Sequence, residues 1–191
     1  MIDYFALLQQ PRRPWLDPEK LKEKYHEITK AAHPDRQSSA SPDSDFANIN
    51  EAYRVLLDPK LRLDHLLKLE GIPPASHTNV PEQIADVFLE IGTLIQETDR
   101  FLAKSTTTTA LSKALLRPEI LEKQKLTADL LEKLKTMYAD TLKELKLFDQ
   151  AWTSTNKAGA RSSEISALSS RFAYLTRWIA QLEERKFQLS I

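Results

Sequence analysis

The sequence predicts an all-α protein, and three observations lead to that prediction. Long stretches carry apolar residues at spacings of three and four, the periodicity of an amphipathic helix. No stretch shows the alternation of apolar and polar residues that is typical of a half-buried strand. Glycine occurs only 3 times among 191 residues, of which 41% are hydrophobic, so the chain has enough apolar material for a core.

The composition argues against several classes of function. Lys+Arg and Asp+Glu both number 27, which leaves no net charge to attract nucleic acid or an anionic membrane. The absence of cysteine excludes disulfides and thiolate metal sites, and the 4 histidines show no ligand spacing. No segment has the apolar length of a membrane span. The predicted first helix begins almost at Met1, so we expect no signal or transit peptide and a cytoplasmic protein. No motif in the sequence implies a cofactor, so none is expected.

The best-defined segment surrounds the tripeptide at 33–35, His-Pro-Asp. Asp17 and Pro18 mark the N-cap and the first turn of a preceding helix. The apolar stripe of that helix consists of Leu21, Tyr25, Ile28 and Ala32. A proline at 34 disfavours helical geometry at the residue before it and ends the helix. Polar residues at 36–45 predict a loop, and a second stripe follows from Phe46, so the pattern is a helical hairpin.

Shorter helices are expected on both sides of this hairpin. Residues 3–8 form a short apolar helix before it, and another follows at about 60–70. Three leucines, Leu63, Leu66 and Leu67, make the buried face of the later helix, while His65 is expected to point outward. Gly71 is a natural helix stop, and the proline-rich residues 72–80 are a linker that ends the first domain.

Residues 81–191 predict an antiparallel three-helix bundle, because three long amphipathic segments are joined by polar loops. The first runs from about 82 to 104, the second ends near Trp152, and the third begins near 164. Pro118 either starts the second helix or kinks it. Gly92 reflects either the close approach of another backbone or simple tolerance of a residue that costs about 1 kcal/mol relative to alanine.

A helical hairpin whose loop begins His-Pro-Asp resembles the J-domain, the module that stimulates DnaK-type ATPase chaperones. Other segments are similar to one J-protein family, HscB, which acts in iron–sulfur cluster assembly. They are Asp3-Tyr4-Phe5, the Leu-Leu-x-Leu-x-Gly ending at Gly71, and the closing helix around Phe172–Trp178. The resemblance covers the whole chain and is strongest over 1–71. The chain departs from the family pattern at Ala32, where an aromatic residue is usual.

The resemblance implies two sets of binding residues. The chaperone-binding set comprises His33, Pro34, Asp35, Lys24, Lys30 and Arg36. The client-binding set comprises Leu89, Glu97 and Tyr174. The implied partners are a DnaK-type ATPase chaperone and an iron–sulfur cluster scaffold protein, and the implied role is that of an adaptor between them rather than an enzyme.

Two alternatives remain open at this point. One is a general J-domain co-chaperone with a different client, because only Leu89 and Glu97 match the binding positions of the family's client helix. The other is a structural helical bundle with an inactive J-domain, against which the intact tripeptide argues. Nothing in the sequence favours catalysis, since no nucleophile–base pair, carboxylate pair or glycine-rich phosphate loop is present.

Overall fold

A computed structural model of the chain describes residues 1–31, 42–72, 81–105, 110–152 and 161–190. Within these ranges the chain forms helices and no strand, which confirms the predicted all-α class. The helices are α1 (Tyr4–Leu7), α2 (Pro18–Ala31), α3 (Pro42–Leu57), α4 (Pro59–Leu69), α5 (Glu82–Ser105), α6 (Ala110–Gln150) and α7 (Ser162–Gln188).

The chain divides into two compact units. Unit one contains Met1–Ala75 together with Lys143–Ser169, and unit two contains Ser76–Leu142 together with Ser170–Ile191. Unit one therefore includes the last residues of α6 and the first residues of α7 in addition to α1–α4. The sequence predicted a J-domain at 1–71, a linker at 72–80 and a bundle at 81–191. This division refers to the segments that fold independently, and it stays a prediction.

The predicted signals for the beginning and end of helices in unit one are confirmed. The Asp17 carboxylate accepts hydrogen bonds from the backbone N–H groups of Glu19 and Lys20, at 3.0 and 3.4 Å. Gly71 adopts a φ of +70°, in the left-handed region that glycine enters without strain. Its N–H donates to the Lys68 carbonyl, and the Ile72 N–H donates to the Leu67 carbonyl. This Schellman arrangement ends α4.

One helix boundary differs from the prediction, and one choice left open by the sequence is decided. Helix α3 begins at Pro42, so the end of the predicted polar loop is helical. Proline suits the first helical position, since its missing N–H has no partner there in any helix. Pro118 lies inside α6 and does not start it. Pro118 is exposed, and its missing N–H removes one hydrogen bond from within the helix.

Unit two is built on an apolar core supplied by α5, α6 and α7. Its buried members are Ile84, Val87, Ile91, Leu94, Leu130, Leu131, Leu134, Tyr174, Leu175, Trp178 and Leu182. Phe88 on α5 and Leu126 on α6 are exposed, at 44% and 46%. The ring of Phe88 lies at the edge of the core, with its centroid 6.1 Å from that of Trp178.

The structure also decides between the two readings of Gly92. A Cβ atom built at this position meets nothing within 4 Å. No other described backbone approaches closely there, so the helix simply tolerates this glycine.

Candidate functional site

Two of the six predicted chaperone-binding residues lie in the part of the chain that the structure describes. Lys24 and Lys30 are on α2, whereas His33, Pro34, Asp35 and Arg36 fall outside the described residues. The Lys24 ammonium group lies 2.8 Å from the Glu27 carboxylate, and Lys30 is exposed. Six residues separate the two lysines, so they lie about 120° apart around the axis of α2.

The packing of α2 on α3 fixes the helix that leads to residue 33. The Tyr25 hydroxyl donates a 2.8 Å hydrogen bond to Oδ1 of Asn50. The rings of Tyr25 and Tyr53 stack, with centroids 4.2 Å apart and an interplanar angle of 20°. Asn50 and Tyr53 both lie on α3. These residues therefore join the two helices of the hairpin.

His65 corrects a prediction, because the expected outward-facing side chain is buried. Its Nε2 accepts a 3.1 Å hydrogen bond from the Tyr4 N–H at the start of α1. Its ring stacks on those of Tyr4 and Phe5, with centroids 4.6 and 5.7 Å away. Burial lowers the pKa of His65 below its ordinary value, Lys68 and Arg12 lower it further, and Asp3 opposes them. The neutral imidazole is thus the form that holds α1.

Asp3 also stabilises the N-terminus of α1. Its Oδ1 accepts hydrogen bonds from the N–H groups of Phe5 and Ala6, as an N-cap does. Its Oδ2 accepts two from the Arg12 guanidinium, at 2.6 and 2.9 Å. Burial acts to raise the pKa of Asp3, but the hydrogen bonds from Arg12, Ala6 and Phe5 outweigh it and the pKa is lowered.

Arg62 is a structural residue that the sequence reasoning missed. Only 2% of its surface is exposed. Its Nε donates to the Pro14 carbonyl at 2.8 Å and its Nη1 to the Leu56 carbonyl at 2.6 Å. The guanidinium carbon lies 5.7 Å from the centroid of the Trp15 ring. Arg62 therefore ties α4 to the end of α3 and to the segment before α2.

The predicted client-binding residues belong to unit two and differ sharply in exposure. Leu89 is 74% exposed and Tyr174 only 7%. Glu97 is exposed, with its carboxylate 3.7 Å from the Lys123 ammonium group. Leu89 and Glu97 are eight residues apart on α5, about 12 Å along the axis and about 80° around it. Of the three, Leu89 has the most surface to offer a partner and Tyr174 the least.

A groove lies between α5 and α6. Its volume is about 570 Å³, and it is lined by Asp86, Val87, Asp129, Glu132, Lys133, Thr136 and Met137. The Lys133 ammonium group lies 2.7 Å from the Glu90 carboxylate, which joins the two helices across this region. The groove therefore combines carboxylates with the apolar side chains of Val87 and Met137, and Leu89 is not among its lining residues.

Comparison with known proteins identifies the N-terminal part of the chain. Residues 3–65 match the family model of the DnaJ domain. This segment is a DnaJ domain. It contains α1, α2, α3 and most of α4, together with the His-Pro-Asp tripeptide.

The relatives found by sequence are named HscB, as is the family that the sequence was seen to resemble. The chain is 35% identical over 104 residues to the co-chaperone protein HscB of Proteus mirabilis, a match that covers 51% of this chain and 60% of that protein. It is 34% identical over 84 residues to an HscB homolog of Aromatoleum aromaticum, covering 40% of this chain and 47% of that protein. The chain thus matches between about half and three-fifths of the length of these relatives.

A solved structure is similar in fold over nearly the whole chain. The chaperone HscB from Vibrio cholerae has a TM-score of 0.63 and 21% sequence identity, and the match covers 98% of this chain and 99% of that one. The predicted resemblance to HscB is confirmed by the sequence relatives, and the Vibrio cholerae structure shares the fold.

The described residues contain no candidate for a membrane-spanning helix or a metal site. No described helix is both long and apolar enough to span a membrane. No group of three or more His, Cys, Asp or Glu side chains in the described ranges is arranged to hold a metal ion.

Proposed function

We propose that this chain is a co-chaperone, in which the DnaJ domain stimulates the ATPase of a DnaK-type chaperone and the helices of 81–191 bind the protein to be delivered. The observation that carries the proposal is the match of residues 3–65 to the DnaJ domain, with an intact His-Pro-Asp between α2 and α3. The names of the relatives, which are co-chaperones, support it.

The chaperone contact is assigned to His33, Pro34 and Asp35 together with Lys24, Lys30 and Arg36. The lysines on α2 support this assignment because cations on an exposed helix steer encounter with an acidic surface. The assignment of the tripeptide rests on the family resemblance.

The client is proposed to be an iron–sulfur cluster scaffold protein, bound through Leu89, Glu97 and Tyr174. An exposed leucine surrounded by charged residues suits a modest hot spot with a polar rim. The chain itself holds no cluster in this proposal, in keeping with its lack of cysteine. It acts as an adaptor and not as an enzyme.

A different client remains the alternative, and the burial of Tyr174 favours it. A side chain that is 7% exposed has little surface for a partner, so fewer positions agree with the family's client face. In that case the chain would stimulate the same chaperone but deliver another protein.

The decisive experiment measures the ATPase of a DnaK-type chaperone with the purified full chain added, with and without a cluster scaffold. His33→Gln should reduce stimulation at least about tenfold while the circular dichroism spectrum is unchanged, because residue 33 lies outside both apolar stripes of the sequence. His26→Gln, at an exposed position of α2, is the matched control and should stimulate like the parent.

The outcomes separate the two parts of the proposal. Equal stimulation by the His33→Gln variant and the parent would remove the J-domain mechanism. Stimulation that depends on His33 but is indifferent to the scaffold, with no binding of the scaffold by calorimetry, would favour the different client.

A further inference from the structure

The segment between α1 and α2, residues 8–17, has no regular secondary structure but leads directly into the first turn of α2. Two other helices of unit one supply hydrogen bonds to its backbone. From α4, Arg62 donates to the Pro14 carbonyl at 2.8 Å. From the end of α6, Asp149 accepts from the Trp15 N–H at 3.1 Å. The path of this segment is therefore set by residues that lie far from it in sequence.

Asp149 forms several further hydrogen bonds with the same segment, all with Arg13. Its carboxylate accepts from both Nε and Nη2 of Arg13, at 3.3 and 2.7 Å. The same Nη2 also donates to the Asp149 carbonyl at 3.2 Å. Arginine and carboxylate thus meet in the two-pronged geometry that gives the strongest and most directional ion pairs.

The position of Asp149 is unfavourable for its own helix. It is 5% exposed and lies in the last turn of α6, where unpaired carbonyl groups disfavour an anion. A buried carboxylate is costly unless it is paired and hydrogen-bonded. The contacts with Arg13 and Trp15 offset both costs. A residue that conflicts with its local structure in this way is expected to serve the wider fold.

The same turn of α6 also holds the Trp15 side chain. The Lys146 ammonium group lies 4.4 Å from the centroid of the Trp15 ring, within the range of a cation–π interaction. Lys146 precedes Asp149 by three residues and so lies on the same face of α6. The end of α6 thus contacts both the backbone and the ring of Trp15.

We propose that Asp149 is a positioning residue of the DnaJ domain: by anchoring Arg13 and Trp15 it fixes the approach of the chain to α2. Helix α2 carries Lys24 and Lys30 and precedes His33. The inference rests on the proposed function, because chaperone stimulation is the activity that Asp149 would support. Without the anchor, residues 13–15 sample several paths, and a smaller fraction of the chains presents α2 in its binding geometry.

The anchor is tested first by amide exchange in the ¹⁵N-labelled full chain. Asp149→Ala should reduce protection of the Trp15 amide about tenfold or more, since it removes the acceptor. Asp99→Ala is the matched control, because Asp99 accepts two 2.9 Å hydrogen bonds from Arg185 but is 50% exposed. It should leave the Trp15 amide unchanged. Undiminished protection in the Asp149→Ala variant would overturn the proposal.

The function of the anchor is tested by titrating each variant against a DnaK-type chaperone, well below its melting temperature. Asp149→Ala should raise the concentration for half-maximal stimulation about three- to tenfold and leave the maximum unchanged. Arg13→Lys keeps the charge but loses the fork, so it should lie between this variant and the parent. Arg13→Lys also carries the test if Asp149→Ala does not fold.

The results distinguish this inference from the function on which it rests. A parent chain that stimulates no DnaK-type chaperone overturns the proposed function, and the role of Asp149 falls with it. A parent that stimulates, together with an Asp149→Ala variant whose titration coincides with that of Asp99→Ala, overturns the inference alone.

Discussion

Unit one and unit two are stabilised in different ways. In unit one, buried polar side chains reach irregular or distant backbone, as Arg62 and Asp149 do. In unit two, α5, α6 and α7 meet through an apolar core. The ion pairs described between its helices lie at the rim, where the acidic partners Glu90, Glu97, Asp99 and Glu183 are each about half exposed.

The difference follows from the secondary structure of each unit. Three long helices can pair their apolar faces along their whole length, and this packing needs no polar contact. Unit one includes a ten-residue segment without regular structure, whose backbone groups must be satisfied by side chains if they are buried. Stability in unit one should therefore depend on a few polar residues, and in unit two on apolar ones.

The largest effect is expected from Arg62→Ala. The substitution removes two hydrogen bonds from a charged donor and leaves the Pro14 and Leu56 carbonyls without it, so the free energy of unfolding should fall by about 2–4 kcal/mol. Lys135→Ala breaks a half-exposed ion pair with Glu183 in unit two and should cost less than about 0.5 kcal/mol. Urea unfolding followed by circular dichroism compares the two, and equal losses would abolish the contrast between the units.

A fragment of residues 1–71 should show how far unit one depends on 143–169. We expect it to be helical and soluble, since the boundary falls before a proline-rich segment. It lacks Asp149 and also Ser169, whose hydroxyl donates a 2.5 Å hydrogen bond to Asp64. The fragment should therefore be about 2–3 kcal/mol less stable than the same residues in the full chain.

Thermal melting of fragment and chain by circular dichroism provides the measurement. An unfolded fragment would refute the predicted domain boundary. Identical melting temperatures would instead mean that Asp149 and Ser169 add no stability to residues 1–71.

Leu89→Ala tests whether the exposed surface of unit two has a function separate from its core. Because Leu89 is exposed, the melting temperature should stay nearly constant, while the affinity for a cluster scaffold falls by about 1–2 kcal/mol. Leu134→Ala, in the fully buried core, is the opposite control and should cost about 2–5 kcal/mol of stability. Calorimetric titration decides, and an unchanged affinity would locate the client face elsewhere.

The smallest expected effect is the loss of stability at acidic pH, when His65 is protonated. The pKa of His65 is lowered in the folded chain, so the unfolded chain binds the proton first. The stabilisation is complete above the ordinary pKa of 6.5 and is lost as the pH falls through the lowered value. Protonation removes the acceptor for the Tyr4 N–H, which should cost about 1 kcal/mol.

Urea unfolding at pH 7.5 and at pH 5 measures this loss. His65→Gln keeps a possible acceptor but does not titrate, so its stability should vary less with pH than that of the parent. His26→Gln should retain the full dependence. A parent and a His65→Gln variant with the same pH dependence would show that another group is responsible.

The sequence predicted what depends on neighbouring residues. The stripes of the long helices, the N-cap at Asp17 and the stop at Gly71 all follow from residues within a few positions of one another. The His-Pro-Asp hairpin was recognisable for the same reason, because its two helices flank it directly.

The residues that were missed act over long separations. Arg62 and Pro14 are 48 residues apart, Tyr4 and His65 are 61 apart, and Arg13 and Asp149 are 136 apart. The position of His65 on its helix indicates an outward side chain, but in the structure Tyr4 and Phe5 of α1 stack on its ring. Nothing near residue 149 distinguishes its carboxylate from those on solvated faces. Such contacts become visible only when the tertiary arrangement is known.

The open space above Gly92 has a practical consequence for spectroscopy. Gly92 follows Leu89 by three residues, so the two positions share a face of α5. A Cβ atom placed there meets no neighbour within 4 Å. Since the chain has no cysteine of its own, Gly92→Cys would provide a unique attachment point for a spin label or a fluorophore. A label at this position would report directly on whatever docks beside Leu89.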